Sequence, residues 1–136
     1  MPARARPLSP HLQIYRWQIG NTLSILHRLT GLALSAGFLA LIYWLAALAG
    51  GRGRYAAAMA LLAGPLGAIL AAAFGLAFFF HLLNGVRHLS WDLGYGFGRR
   101  GRHASAWIAL AGALALTILA GALSAHFAHF APLAHR

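Results

Sequence analysis

The stretch "LLAGPLGAILAAAFGLAFFFHLLNGVRHLSWD", residues 61–92, decides the fold. From Leu61 to Leu83 it carries no charged side chain. At ~1.5 Å per helical residue that run is long enough to cross a hydrocarbon core of ~30 Å. It shows no strict alternation of apolar and polar residues, so it does not read as a strand of a closed barrel. A helix is the remaining way to satisfy a backbone inside lipid. The stretch then ends abruptly in Arg87, His88 and Asp92, and Asp92 is the only acidic residue of the chain.

Working outward, two further apolar blocks have the same character. "LTGLALSAGFLALIYWLAALA" runs from Leu29 to Ala49, and "ASAWIALAGALALTILAGALSAHF" runs from Ala104 to Phe127. With 60% hydrophobic residues, 9% charged residues and a mean hydropathy of +0.68, a chain of 136 residues has more apolar surface than a soluble domain of that size hides. The sequence predicts an all-α membrane protein in one domain, 1–136, with transmembrane helices at about 23–49, 58–88 and 104–128 after an N-terminal segment 1–22. Pro65 falls near the start of the second span, where a missing N–H costs little. "GGRGR", residues 50–54, reads as a Gly-rich turn, and "DLGYGFGRRGRH", residues 92–103, as the second loop.

The net charge of +10 comes from eleven arginines and no lysine. Eight of them (Arg4, Arg6, Arg16, Arg28, Arg87, Arg99, Arg100, Arg102) lie before the first span or around the second loop, and three (Arg52, Arg54, Arg136) lie on the opposite side. That asymmetry places the N-terminus and the second loop in the cytoplasm. Arginines at the edges of apolar blocks explain the charge without nucleic acid, and no basic stripe interleaved with aromatics appears on a soluble element. The absence of cysteine excludes disulfides, thiolate metal sites and cysteine nucleophiles. No inverted repeat or broken-helix pair suggests a transporter. No signal or transit peptide is recognisable, and the expected location is a bacterial inner membrane.

Histidines carry the chemistry. If the second helix continues past Leu83, then His81, Gly85, His88 and Asp92 fall on one face, with His81 ~10 Å deeper than His88. An imidazole at that depth needs a partner. Haem iron is one, with Gly85 letting a flat macrocycle approach the backbone and with Arg87 and His88 near its propionates. A hydrogen bond to a neighbouring helix, with His88 and Asp92 only capping the segment, is the other reading, and spacing leaves both open. At the start of the first helix, Ser24 and Arg28 lie four apart on one face beside His27. A hydroxyl and a guanidinium at the membrane surface suit the carbonyl oxygens of a lipid-soluble quinone, and they equally suit helix capping and headgroup anchoring. The first and third spans hold no mid-membrane histidine, so a bis-histidine haem near His81 would need its second ligand from another chain.

These two clusters resemble the cytochrome b subunit of succinate dehydrogenase, the larger membrane anchor of respiratory complex II. The resemblance rests on "RP" at Arg6-Pro7, "SILHRLTG" at 24–31 and "HLLNGVRH" at 81–88 followed by Asp92. The stretch "RPLSPHLQIYRWQIGNTLSILHR" looks most like the mitochondrial and alphaproteobacterial branch. The resemblance implies that His81 is the axial ligand of a haem b, that Ser24 and Arg28 bind ubiquinone, and that His27, Arg28 and His88 surround the haem. It implies three partners: a small hydrophobic anchor subunit that supplies the other axial histidine and completes the helical bundle, an iron–sulfur subunit, and a flavoprotein that oxidises succinate. The anchor of a quinol:fumarate reductase and a haem-free structural anchor are the alternatives.

Overall fold

A computed structural model describes residue 10 and residues 14–130, with only the backbone of 128–130. The N-terminal arginines 4 and 6, Pro7, His129, His135 and Arg136 therefore lie outside the described residues or side chains. The described chain forms α1 (Ile19–Ala49), α2 (Arg52–Leu62), α3 (Pro65–Asp92) and α4 (Arg99–Phe130). Helices α1, α3 and α4 are each long and apolar enough to cross a membrane. The all-helical class and the three spans follow the sequence reading.

Two boundaries differ from it. Arg52 already opens a helix, so the turn after α1 shrinks to Gly50 and Gly51, where the Gly50 N–H returns to the Ala46 and Ala47 carbonyls. The expected continuous helix from residue 58 is instead interrupted after Leu62. Gly64 causes the break: its φ of 113° and ψ of 175° lie where a side chain is strained, and Pro65 at the next position can only start a helix. The outgoing backbone then folds close on the incoming one. A Cβ at Gly67 would collide with the backbone of Leu62.

Helix α3 ends in a Schellman arrangement. Tyr95 N–H bonds the Ser90 carbonyl at 2.9 Å and Gly94 N–H the Trp91 carbonyl at 2.8 Å, with Gly94 at a φ of 87°. This keeps α3 helical through His88 and Asp92 and sends the chain back into α4. The core lies at this end of the bundle. Leu23, Phe80, Ala106 and Ala113 are buried together, with Ile19, Leu26, Phe79, Leu83 and Leu110 packed around them. Small residues on α4 let the helices approach: Gly112 sits so close to Leu83 that an added Cβ would lie 2.9 Å from its Cδ1. Most large apolar side chains elsewhere are exposed, as a lipid-facing surface requires.

A histidine cluster between the first and third helices

Helix α1 enters the bundle at Ile19, anchored just before its start by Trp17, whose indole N–H donates to Thr22 Oγ1 at 2.8 Å. Asn21 adds a side-chain hydrogen bond to the Tyr15 hydroxyl. That entry sets His27 against α3. The rings of His27 and His81 stack with centroids 3.9 Å apart and planes 13° from parallel. His88, two turns along α3 from His81, lies 5.3 Å from His27, ring centroid to ring centroid, and meets Trp91 edge-on at 5.1 Å. All three imidazoles are half-buried.

The hydrogen bonds define the tautomers. His81 Nδ1 lies 3.1 Å from the His27 carbonyl oxygen, which can only accept, so Nδ1 carries the proton. Thr30 Oγ1 lies 3.2 Å from the same nitrogen. The Thr30 hydroxyl hydrogen is directed back along its own helix to the Leu26 carbonyl at 2.8 Å or that of His27 at 3.0 Å, which leaves an oxygen lone pair for His81. His81 Nε2 is then the unprotonated nitrogen. In the same way His88 Nδ1–H donates to the Asn84 carbonyl at 2.7 Å. His27 Nδ1 is buried and has no hydrogen-bond partner.

Gly31 packs against the His81 ring, with an added Cβ only 3.1 Å from Cε1. Gly85, one turn beyond His81, has open space where its Cβ would stand. No group of three or more histidine, aspartate or glutamate side chains gathers as a metal cage among the described residues.

The remaining expected residues sit apart. Ser24 and Arg28 are exposed, and no described hydrogen bond ties either to the histidines. Asp92 is exposed at the last turn of α3. Arg87, expected beside the histidine face, turns away from it. It is buried against α4, where Nε donates to Ser105 Oγ at 2.9 Å and Nη2 to the Arg102 carbonyl at 3.4 Å, while Nη1 donates to Asn84 Oδ1 of its own helix at 3.1 Å. Its guanidinium also lies 4.0 Å over the Trp91 ring. The reason is helical phase: six residues beyond His81, Arg87 is rotated by ~240°, away from the face that His81 and His88 share.

Sequence reasoning passed over Asn84 and Thr30. Asn84 is fully buried and joins Arg87 to the α3 backbone turn that holds His88. An amide inside an apolar run is itself a signal, because it is costly there without partners. Thr30 was visible only as a motif position.

The family described as Succinate dehydrogenase/Fumarate reductase transmembrane subunit matches residues 2–120. Among curated relatives, the succinate dehydrogenase cytochrome b556 subunit of Rickettsia typhi is 48% identical over 92 residues, 68% of this chain and 71% of that protein. The cytochrome b556 subunit of Paracoccus denitrificans is 44% identical over 91 residues, 67% of this chain and 70% of that one. The mitochondrial cytochrome b560 subunit of Sus scrofa is 46% identical over 96 residues, 67% of this chain and 55% of the relative. The matched span takes in α1, α2, α3 and most of α4, histidine cluster included. This multi-pass membrane protein belongs to the succinate dehydrogenase/fumarate reductase transmembrane subunit family, on the side of its succinate dehydrogenase cytochrome b members.

Proposed function

We propose that the chain is the haem b-binding anchor of a succinate dehydrogenase and helps to form its ubiquinone-reduction site. The observation that carries the reading is His81: its Nδ1–H is committed to the His27 carbonyl and Thr30, so its basic nitrogen, Nε2, is the one available to iron. The open surface at Gly85 leaves room for a flat macrocycle against the backbone, and the unpartnered, buried Nδ1 of His27 marks a polar atom that a bound group would satisfy. Two rings stacked face to face at 3.9 Å do not aim nitrogens at one iron from opposite sides. His27 would thus be a neighbour of the iron ligand, and a small hydrophobic anchor subunit would supply a second histidine.

A haem held there supplies a one-electron store beside the quinone site. The chain's own residues do the binding and orienting. His81 would hold the iron, with His27, Arg28 and His88 as the haem's surroundings. The Ser24 hydroxyl and the Arg28 guanidinium, both exposed on the first turns of α1, donate hydrogen bonds to the quinone carbonyl oxygens and fix its headgroup. An iron–sulfur subunit docks on the cytoplasmic face and delivers electrons, and a flavoprotein oxidises succinate. The chain's single carboxylate side chain, Asp92, lies at a helix end and has no part in succinate chemistry. The relatives' names favour succinate oxidation over fumarate reduction as the working direction.

The test is a reduced-minus-oxidised spectrum of the co-expressed complex, wild type beside His81→Ala. A b-type band that vanishes or shifts in the variant is the expected result. An unchanged band would mean that another histidine holds the iron, and succinate:quinone activity without any band would make the chain a haem-free anchor.

A further inference from the structure

Two consecutive residues of α1, Thr30 and Gly31, close on one edge of the His81 ring. Thr30 Oγ1 is 3.2 Å from Nδ1, and Gly31 faces Cε1 so closely that an added Cβ would lie 3.1 Å from it. A threonine inside a helix ordinarily needs no partner beyond the carbonyl one turn back, and Thr30 has that bond. Its hydroxyl oxygen is nevertheless placed to accept a second, interhelical bond. We propose that Thr30 is a positioning residue for His81, sharing the Nδ1–H with the His27 carbonyl so that tautomer, ring rotation and basicity are set together. The inference rests on the reading of His81 as the iron ligand.

Three consequences follow from the geometry. The His27 carbonyl and Thr30 Oγ1 lie 3.1 and 3.2 Å from Nδ1, so the two acceptors share its one N–H. Two acceptors on one N–H draw the proton outward and make Nε2 a stronger donor, which favours ferric over ferrous iron. Removal of the Thr30 oxygen then weakens that preference and raises the midpoint potential. Serine, which keeps the oxygen, restores it.

The experiment is a redox titration of the b-type band in the complete co-expressed complex, comparing wild type with Thr30→Val, Thr30→Ala, Thr30→Ser and His81→Ala. A threefold loss of ferric preference in Thr30→Val and Thr30→Ala is expected, which is an upward shift of about 28 mV at 59 mV per tenfold for one electron. Thr30→Ser is expected to titrate with wild type. Wild-type potentials in Thr30→Val and Thr30→Ala, with the band lost in His81→Ala, would overturn the role of Thr30 while leaving the ligand in place. An equal shift in Thr30→Ser, or failure of both Thr30→Val and Thr30→Ala to assemble, would also overturn it, because shape or folding and not the oxygen would then be what matters. A band unchanged in His81→Ala would instead remove the ligand assignment on which the inference stands.

Discussion

Arg87 and Arg28 place the same guanidinium in opposite circumstances. Arg87 is buried with three hydrogen-bonding contacts and a face on Trp91, whereas Arg28 is exposed and has no described side-chain partner. Arg87→Ala strands the oxygens of Asn84 and Ser105 inside the α3–α4 contact, and the expected loss is about 1–3 kcal/mol in the stability of the assembled complex. Thermal unfolding of the detergent-solubilised complex measures it. Arg28→Ala should leave that unfolding midpoint where it is and lower succinate:quinone turnover, with turnover on a water-soluble acceptor at the flavoprotein retained. A matching drop in stability for Arg28→Ala would assign it to packing and not to the quinone. Of the candidate site, the histidines and the pair Ser24 and Arg28 were legible as motif positions. Two partners of Arg87, Ser105 and the Arg102 carbonyl, were not, since they stand on another helix.

Among the elements, the break between α2 and α3 is held by backbone contact and not by apolar side chains. Gly67 touches the Leu62 backbone, so Gly67→Ala forces main chain apart where no side chain can swing aside. The expected cost is about 1–3 kcal/mol, read as a lower yield of folded chain and a lower unfolding temperature. Gly31→Ala acts on the site itself: its Cβ would stand 3.1 Å from His81 Cε1, and the ring, held at Nδ1 by two acceptors, must tilt. A displaced b-type band or reduced haem content at unchanged assembly is the expected outcome, while a wild-type spectrum would show that the ring accommodates the methyl. Pro65 was legible near the start of a span expected from residue 58, but the break at Gly64 was not. That Arg52–Leu62 forms a helix of its own was not, because its composition merges with the apolar run that follows.

The whole molecule is an incomplete bundle. Its core cluster gathers Leu23, Phe80, Ala106 and Ala113 where α1, α3 and α4 meet, only small residues such as Ala47 and Ala58 are buried toward the other end, and the spans present many leucines, isoleucines and phenylalanines outward. Lipid and a second anchor subunit cover those faces in the proposed complex. The arginine asymmetry predicts a cytoplasmic N-terminus and second loop, and the cysteine-free sequence makes that orientation easy to test. Gly53→Cys should react with a membrane-impermeant maleimide on intact cells, and Tyr95→Cys only after permeabilisation, each read as a mass shift of this chain. The reverse pattern would invert the topology and move Ser24, Arg28 and the second loop to the opposite side.

The amino-acid sequence by itself determined the number of spans, the position of the polar cluster at one end of two of them, and the family. Each of these depends on runs of hydropathy or on spacing along a single helix. Tertiary structure alone decided that His27 stacks on His81, that Arg87 turns to α4, and that Thr30 reaches His81 Nδ1. Helices that are apolar all round carry no stripe to show which side meets protein and which meets lipid, so their rotation about their own axes is set by small-residue packing and a few interhelical hydrogen bonds.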